Sequence, residues 1–314
     1  MRYEVPLRIP GFEGPQNEEP SGQILQVALA PASSAEWYAT GTRRLLDRFG
    51  KGYFPVFRFS DGECYFCLGF RMPLPQPGRS KLVHYTRSFL SAYVKWRYHL
   101  TFWSGTPGYG HETYRRRLWN ELKPKFAGQL REIAEQGLIA GNFCRQNTPW
   151  LMDRYIPDIF DWFDAQDIAL HSDNYIPFFF IYAMLLGPDR HKFLAGRNLL
   201  VITSLAGDKE ANLRRSFLQS GVSTVNFISI SRSHGMCETI DLSLAHRSTD
   251  LVLIGAGVGA ANILSQVKPL GAVSIDAGYV LDCYENPKYK GGRAFTLPDE
   301  EVSVSGNSVA LPAI

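Results

Sequence analysis

The chain has 314 residues, of which 45% are hydrophobic, 13% aromatic and 20% charged. This composition is typical of a globular protein with a sizeable core, and it excludes an intrinsically disordered or fibrous chain. With 33 Lys and Arg residues against 30 Asp and Glu residues, the net charge is +3, which argues against a dedicated nucleic-acid-binding protein.

The N-terminal sequence and the apolar runs predict a protein with neither a secretory signal nor a membrane span. Met1–Pro6 lacks the apolar core of a signal peptide. The longest apolar run, about 175–186, contains Pro177 and is shorter than the roughly 20 residues that a spanning helix needs. The chain has five cysteines, an odd number that favours reduced thiols, so we expect a cytoplasmic protein.

Composition divides the chain into an arm, one large domain and a tail. Residues 1–35 are rich in Pro, Gly, Glu and Gln, which predicts an N-terminal arm. We expect a single α/β domain over residues 36–290 and a tail over residues 291–314.

In the first half of the domain, helix-capping residues and short β-rich runs define most elements. The predicted elements are a helix over 34–49, a strand over 53–59, a turn over 60–63, and helices over 80–103 and 111–137. The stretch from 138 to 190 is rich in aromatic residues and has no clear period.

In the last third of the chain, short apolar strands alternate with helices. The predicted strands are 199–203, 224–230, 251–254 and 273–275, and the predicted helices are 209–220, 237–246 and 259–267. Apolar strands that alternate with helices indicate a parallel sheet with both faces covered. The sequence therefore predicts a Rossmann-like, mostly parallel α/β sheet flanked by helices.

Charge is distributed unevenly along the chain. Residues 79–125 contain ten bases and two acids, a net charge of +8, with aromatic residues interleaved. Residues 151–176 contain six Asp residues and one Arg, a net charge of −5. The two segments can be solvated faces that attract each other, or the basic segment can bind a phosphorylated ligand or an anionic membrane surface.

A glycine-rich turn follows the strand at 251–254. Gly255 and Gly257 lie between this strand and a helix start, where a backbone without side chains can approach a phosphate. Asp276 follows 19 residues after Gly257, which is the spacing of a ribose-binding acid. The pattern predicts a nucleotide pocket; the alternative is a tight turn that only packs against the sheet.

The most specific local pattern is the acidic sequence after the strand at 53–59. Asp61 and Glu63 are separated by one glycine, and two carboxylates at this spacing can face one divalent cation. Hard oxygen ligands suit Mg²⁺ or Mn²⁺ bound to a diphosphate. Arg58 can hold a phosphate oxygen in bidentate fashion. The alternative is an exposed acidic turn.

These motifs together resemble the bacterial GT-D-fold glycosyltransferases. Arg58–Glu63 is similar to their Arg-x-Gly-Asp-Gly-Glu signature, and Asp276–Glu285 is similar to their C-terminal Asp-x-Gly and Asp-x-Tyr pattern. The resemblance spans about residues 57–285 and implies a GT-D-type architecture. It also implies that Asp61 and Glu63 hold the metal ion and the diphosphate of a nucleotide sugar.

Polar residues that follow the other strands are candidates for the remaining roles. Inverting transfer needs a base for the acceptor hydroxyl. The candidate bases are Asp282, Glu285, His234 and Glu238. Sites of parallel sheets form at the carboxyl ends of strands. The expected nucleotide-binding residues are Arg58, Ser204, Gly255, Gly257 and Asp276.

The sequence thus predicts a metal-dependent glycosyltransferase that uses a UDP-sugar or another nucleotide sugar with Mn²⁺ or Mg²⁺. Its acceptor would be a glycan, a lipid-linked sugar or a protein in surface polysaccharide or glycoprotein assembly, with peripheral contact at the inner face of the membrane. Two alternatives remain open: an NAD(P)- or FAD-dependent oxidoreductase built on the Gly255 turn, and a non-catalytic nucleotide-sugar-binding protein. Cys64 and Cys67 have metal or redox spacing, but no second pair accompanies them, so we expect buried free thiols.

Overall fold

The computed structural model describes most of the predicted domain and two short pieces of the N-terminal arm. The described residues are 3–4, 24–25, 34–68, 80–83, 85–86, 89–90, 116–141, 149–171, 173–178, 180–187, 189–231, 235–245 and 248–286. In the arm, β1 (Tyr3–Glu4) and β2 (Ile24–Leu25) form an antiparallel pair. The predicted tail at 291–314 and His234 lie outside the described residues.

Seven further strands form one sheet within the described part of the chain. They are β3 (Phe54–Phe59), β4 (Leu138–Gly141), β5 (Tyr175–Pro177), β6 (Asn198–Thr203), β7 (Thr224–Ser229), β8 (Leu251–Gly255) and β9 (Val273–Asp276). Their order is β5-β4-β3-β9-β8-β6-β7, and all neighbours are parallel. The parallel α/β sheet that the sequence predicts is therefore confirmed.

Nine helices with described bounds flank this sheet, in addition to the helical residues described between 81 and 90. They are α1 (Ser34–Leu46), α2 (Asp61–Leu68), α3 (Arg116–Gln136), α4 (Pro149–Ala165), α5 (Phe180–Leu186), α6 (Arg190–Leu194), α7 (Asp208–Gln219), α8 (Ala260–Val267) and α9 (Val280–Glu285). α3 packs against α8, and both helices contact β3. α9 packs against α7 and α5. With the helices packed in this way, side chains from distant parts of the chain meet at the carboxyl ends of the central strands.

The central strands are largely apolar because helices cover them. Every residue of Leu199–Thr203 in β6, Leu251–Ile254 in β8 and Val273–Asp276 in β9 is buried. A strand that is covered on both faces has no solvent-exposed face for polar side chains. Its sequence is therefore a continuous apolar run rather than an alternation of apolar and polar residues. This is why the strands of the last third are visible in the sequence.

Two predictions of local structure are wrong. Residues 60–63 do not form a separate turn, because α2 begins at Asp61. The helix predicted over 237–246 is absent from the described residues there, which contain one 3₁₀ turn at Leu242–Leu244. Hydrogen bonds to side chains, rather than helical backbone hydrogen bonds, hold this segment. Ile240 N–H, for example, donates to Gln266 Oε1 at 2.9 Å.

The stretch without a clear period is regular in the structure. Residues 138–190 contain β4, α4, β5 and α5. α4 includes Pro157 in its interior, as α3 includes Pro124, so an internal proline alone does not distinguish the missed helix from the predicted one. Of the helix predicted over 111–137, residues 116–136 form α3, and residues 111–115 lie outside the described part of the chain. The described residues between 81 and 90 are helical, and 91–103 lie outside the described residues.

The described cysteines are free thiols. Cys64, Cys67 and Cys283 are buried and Cys237 is exposed. Burial raises the pKa of the Cys67 thiol well above its ordinary value, with a further contribution from Glu63. The prediction of buried free thiols at Cys64 and Cys67 is confirmed. Among the described helices, none has the length and the apolar character that crossing a membrane requires.

Candidate active site

The carboxyl ends of β3 and β9 bring together an arginine and an aspartate that are far apart in the sequence. The two strands pair in parallel with Val56 opposite Ile275. The backbone N–H of Arg58 donates to Asp276 Oδ2 at 3.3 Å, and Arg58 Nη2 lies 3.6 Å from Asp276 Oδ1. The side chains are 11% and 2% exposed, respectively. Arg58 and Asp276 therefore form a nearly buried ion pair in the middle of the sheet.

Aromatic side chains hold the guanidinium of Arg58 on its other sides. Arg58 Nη1 donates a hydrogen bond to the hydroxyl of Tyr182 in α5 at 3.1 Å. The guanidinium carbon also lies 5.2 Å from the ring centroid of Phe178 and 5.6 Å from that of Tyr182, within cation–π distance. These contacts fix the direction of the Arg58 side chain.

Gly278 completes the wall around Arg58. Its φ is +44°, and a Cβ atom built on it would lie 1.5 Å from Arg58 Nη2. No other residue fits this position without displacing the guanidinium. The Asp-x-Gly sequence therefore needs glycine at position 278, because Arg58 occupies the space that a side chain would take.

Burial and charge act in opposite directions on this pair. Burial raises the pKa of Asp276 to about 6, although Arg58 and backbone hydrogen bonds lower it in part. For Arg58, burial alone would lower the pKa, but Asp276, Tyr182 and Glu63 together raise it above its ordinary value. Arg58 is therefore a fixed cation, whereas Asp276 can change its charge near neutral pH. Arg58 Nε and Asp276 Oδ1 are buried without a hydrogen-bond partner among the described residues.

The acidic motif forms the first turn of α2, directly after β3. Ser60 N–H donates to Glu63 Oε2 at 2.8 Å, and Cys64 N–H donates to the Ser60 carbonyl at 3.0 Å. This is the capping-box arrangement, in which an acid at the third helical position reaches back to the N-cap residue. Glu63 is 6% exposed and therefore has a structural role in addition to any role in binding.

The fit of a divalent cation rests on the chemistry of the two carboxylates. The backbone of Asp61 lies at the first position of α2, and its side chain lies outside the described part of the structure. Among the described side chains, no group of three or more His, Cys, Asp and Glu residues is arranged to hold a metal ion. Two hard oxygen donors at a helix start suit Mg²⁺ or Mn²⁺, which take their other ligands from water and phosphate oxygens. The donor set fits such an ion, and the metal site remains a prediction.

The glycine-rich turn after β8 packs closely against protein. A Cβ on Gly255 would lie 2.7 Å from Leu281 Cδ1 of α9, and one on Gly259 would lie 2.6 Å from the backbone carbon of Gly235. Gly257 has a φ of +53°. These glycines allow α9 and the segment after Gly235 to approach the turn. This agrees with the alternative given from the sequence, a tight turn that packs against the sheet. Their predicted contact with a nucleotide stays a prediction.

The remaining predicted residues are spread along the same edge of the sheet. Ser204 follows β6, and β8 lies between β6 and β9, so Ser204 is two strands away from Asp276. Asp282 and Glu285 are partly exposed on α9. Both carboxylate oxygens of Glu238 accept from Ser231 N–H, at 3.0 and 2.7 Å, so Glu238 anchors the segment after β7.

Sequence reasoning did not find the aromatic partners of Arg58. Phe178 and Tyr182 lie in the aromatic run 175–186, which we interpreted only as a buried segment. The run contains no polar motif, and its relation to Arg58 depends on the pairing of β4 and β5 beside β3. Gly278 could be identified from the sequence, because it belongs to the Asp-x-Gly pattern on which part of the family resemblance rests.

Comparison with known families identifies the fold class. Residues 155–284 match the family model described as the GT-D fold-like domain. The match begins in α4 and ends in α9, so it includes Asp276 and Gly278 but excludes Arg58 and the acidic motif. The chain thus carries a GT-D fold-like domain, and the resemblance to GT-D-fold glycosyltransferases is confirmed.

Solved structures with a similar overall course are remote in sequence. One is described as a new glycosyltransferase (DUF1792) from Streptococcus sanguinis, with 13% identity, a TM-score of 0.48, and coverage of 88% of this chain and 97% of that chain. A second, described as a highly conserved domain of unknown function 1792 with a distinct glycosyltransferase fold, has 11% identity, a TM-score of 0.43, and coverage of 86% and 93%. A comparison with curated proteins found no match. The identification of the domain rests on the family match.

Proposed function

We propose that the protein is a glycosyltransferase that uses a nucleotide-sugar donor, a UDP-sugar in the first instance, with Mn²⁺ or Mg²⁺. The match of residues 155–284 to the GT-D fold-like domain supports glycosyl transfer as the reaction class. The observation that carries the donor assignment is the fixed cation Arg58, which lies at the carboxyl end of β3 directly before the acidic start of α2.

Glycosyl transfer from a nucleoside diphosphate sugar requires stabilisation of the leaving diphosphate. Positive charges placed before the reaction provide this stabilisation most effectively where water is excluded. Asp276, Tyr182 and Gly278 hold Arg58 in a single orientation, so its charge needs no reorganisation when the donor binds. Asp61 and Glu63 would hold the divalent ion, which supplies further positive charge at the diphosphate when it is bound.

The acceptor hydroxyl needs a base if transfer inverts the configuration. Asp282 lies in the first turn of α9, four residues after Gly278, and Glu285 lies at the end of the same helix. His234 remains a third candidate and lies outside the described residues. We propose α9 as the element that faces the acceptor, since it follows directly on the wall of the Arg58 site.

We place the activity in the cytoplasm and in surface polysaccharide or glycoprotein assembly. The free thiols of the four described cysteines agree with a reducing compartment. The acceptor would be a glycan, a lipid-linked sugar or a protein.

The experiment is calorimetric titration of UDP-sugars into the protein, with and without Mn²⁺. We expect Asp61→Asn combined with Glu63→Gln to abolish the metal-dependent part of donor binding. The Glu63→Gln change preserves the cap, because a Gln side chain also accepts from the N-cap N–H. A matched control is Asp208→Asn with Glu210→Gln, which removes two acids at the same spacing from the first turn of α7. This control should bind the donor as the wild type does.

Three outcomes would contradict the proposal in different ways. Unchanged metal-dependent binding in the Asp61/Glu63 variant would exclude the metal assignment. Thermal stabilisation by NAD(P) or FAD without metal, and not by UDP-sugars, would favour the oxidoreductase. UDP-sugar binding without release of UDP in the presence of any glycan, lipid-linked or protein acceptor would identify a non-catalytic binding protein.

A further inference from the structure

Exposed apolar side chains are concentrated in one short helical segment. Among the described residues, six large apolar side chains are exposed, and five of them lie between positions 82 and 90. They are Leu82 (77% exposed), Val83 (53%), Tyr85 (41%), Phe89 (65%) and Leu90 (60%). The described residues of 81–90 are helical. We call residues 81–90 the apolar segment.

Four of the five exposed apolar residues, all except Val83, have the spacing of one helix face together with Thr86. Positions 82, 85, 86, 89 and 90 follow the i, i+3, i+4, i+7, i+8 pattern that normally faces a core. The one polar member, Thr86, donates its hydroxyl to the Leu82 carbonyl at 2.8 Å, so it does not interrupt the apolar face with an unsatisfied group. An apolar helix face directed outward marks an interaction surface.

The sequence that contains the apolar segment is basic, and this charge indicates what the segment binds. Residues 79–111 contain five bases, namely Arg79, Lys81, Arg87, Lys95 and Arg97, and no Asp or Glu. The same stretch contains two Trp and four Tyr or Phe residues besides Tyr85 and Phe89. Bases together with Trp and Tyr are typical of helices that lie in the headgroup region of an anionic bilayer.

We propose that the apolar segment docks on a membrane surface that contains anionic lipids. Leu82, Phe89 and Leu90 would enter the boundary between headgroups and acyl chains, while Lys81 and the other bases would contact the lipid phosphates. Pairing with a second copy of the chain is less favourable, because a two-fold contact through this face would place the bases of both copies together. The docking site is independent of the proposed reaction and of the Arg58 site.

The test is co-sedimentation of the full chain with vesicles, without any sugar donor. We expect binding to vesicles of phosphatidylglycerol and phosphatidylcholine in equal parts, and no binding to pure phosphatidylcholine. High salt should weaken the binding, because it screens the charges. Leu82→Ser combined with Phe89→Ser should lower the affinity about tenfold or more, because two inserted side chains are lost.

A matched control is Leu218→Ser on α7, which changes the other exposed large apolar side chain, 48% exposed, and should leave vesicle binding unchanged. Lys81→Glu provides a second test that does not depend on the apolar residues, and it should weaken binding to the anionic vesicles. The proposal would be overturned if the wild type, the Leu82/Phe89 variant and Lys81→Glu bound the anionic vesicles equally. It would also be overturned if the wild type bound both kinds of vesicle equally or bound neither. A wild-type dimer in light scattering that the Leu82/Phe89 variant dissociates, without vesicle binding, would identify the face as a contact between copies.

Discussion

At the scale of single residues, the pairing of Arg58 with Asp276 gives both side chains a more specific role than the sequence indicates. From spacing, Asp276 is a candidate for a ribose hydroxyl, and Arg58 is a candidate for a phosphate. In the structure the carboxylate lies against the guanidinium and its backbone N–H. The two residues are 218 positions apart. No local pattern could show their contact, because it depends on β3 and β9 being neighbours.

The raised pKa of Asp276 has a consequence for stability. Between about pH 4 and pH 6 the folded state retains a proton on this carboxyl that the unfolded chain has already released. The contribution of Asp276 to the free energy of unfolding therefore falls as the pH rises through this window, by up to about 3 kcal/mol. Denaturant titrations at several pH values should show this slope in the wild type and its loss in Asp276→Asn.

Asp241 is the control for this measurement. Hydrogen bonds from Ser243 lower the pKa of Asp241, so its contribution to stability has the opposite sign and is lost as the pH falls. Asp241→Asn should leave the slope between pH 4 and pH 6 in place. An unchanged slope in Asp276→Asn would mean that the buried carboxyl does not titrate in this range.

Gly278 provides a second prediction at the residue scale. In Gly278→Ala the new Cβ overlaps Arg58 Nη2 and also imposes a positive φ on a non-glycine residue. Gly271→Ala is the matched control, because Gly271 has a φ of +62° but the nearest atom to its added Cβ is 4.0 Å away. The control should lose about 1–2 kcal/mol of stability from backbone strain alone.

We expect Gly278→Ala to lose more stability than Gly271→Ala and, in addition, to lose affinity for the nucleotide-sugar donor. Denaturant titration measures the first effect, and calorimetry measures the second. Equal losses of stability in the two variants would show that Arg58 can move aside without cost.

At the scale of elements, the start of α2 shows how one short sequence can have two roles. Ser60 and Glu63 form the capping box that begins the helix, which is why residues 60–63 are helical and not a separate turn. A capping box is recognisable from sequence by an acid three residues after Ser or Thr. The same Glu63 is a predicted metal ligand. Asp61 also has two roles open to it, because an acid at the first helical position stabilises the positive end of the helix, and Asp61 is the second predicted metal ligand.

The elements differ in how far their sequences determine them. β6 and β8 are apolar along most of their length because they are covered on both faces, and their prediction is confirmed. The segment after β7 is held by the side chains of Asn262 and Gln266 instead of its own backbone hydrogen bonds. This anchoring by distant side chains has no local signature. The sequence therefore predicts elements that local patterning stabilises and misses those that depend on distant partners.

At the scale of the whole molecule, the strand order joins the two ends of the domain. The matched region 155–284 lacks β3 and β4, yet β5 pairs only with β4 and β9 pairs with β3 within the described sheet. A fragment of residues 155–286 would leave β5 without a neighbour and β9 as an exposed apolar edge, which promotes aggregation. The single-domain prediction for 36–290 can be tested on this basis.

We expect the fragment 34–286 to be monomeric and to unfold in one cooperative transition, and the fragment 155–286 to aggregate or to show no cooperative transition. Thermal unfolding followed by circular dichroism, together with light scattering, distinguishes the two. A monomeric, cooperatively folded 155–286 fragment would show that the family-matched region is a domain by itself.

The position of β9 also determines when the protein can fold during synthesis. β9 is the last strand of the sheet to leave the ribosome, but it lies in the middle of the sheet, between β3 and β8. Until β9 is added, β3 and β8 each lack a neighbouring strand on one side, and Arg58 lacks the carboxylate of Asp276. Contacts of such high sequence separation form slowly. The Arg58 site is therefore absent from every nascent chain that ends before Asp276, and it forms only when nearly all of the domain has been made.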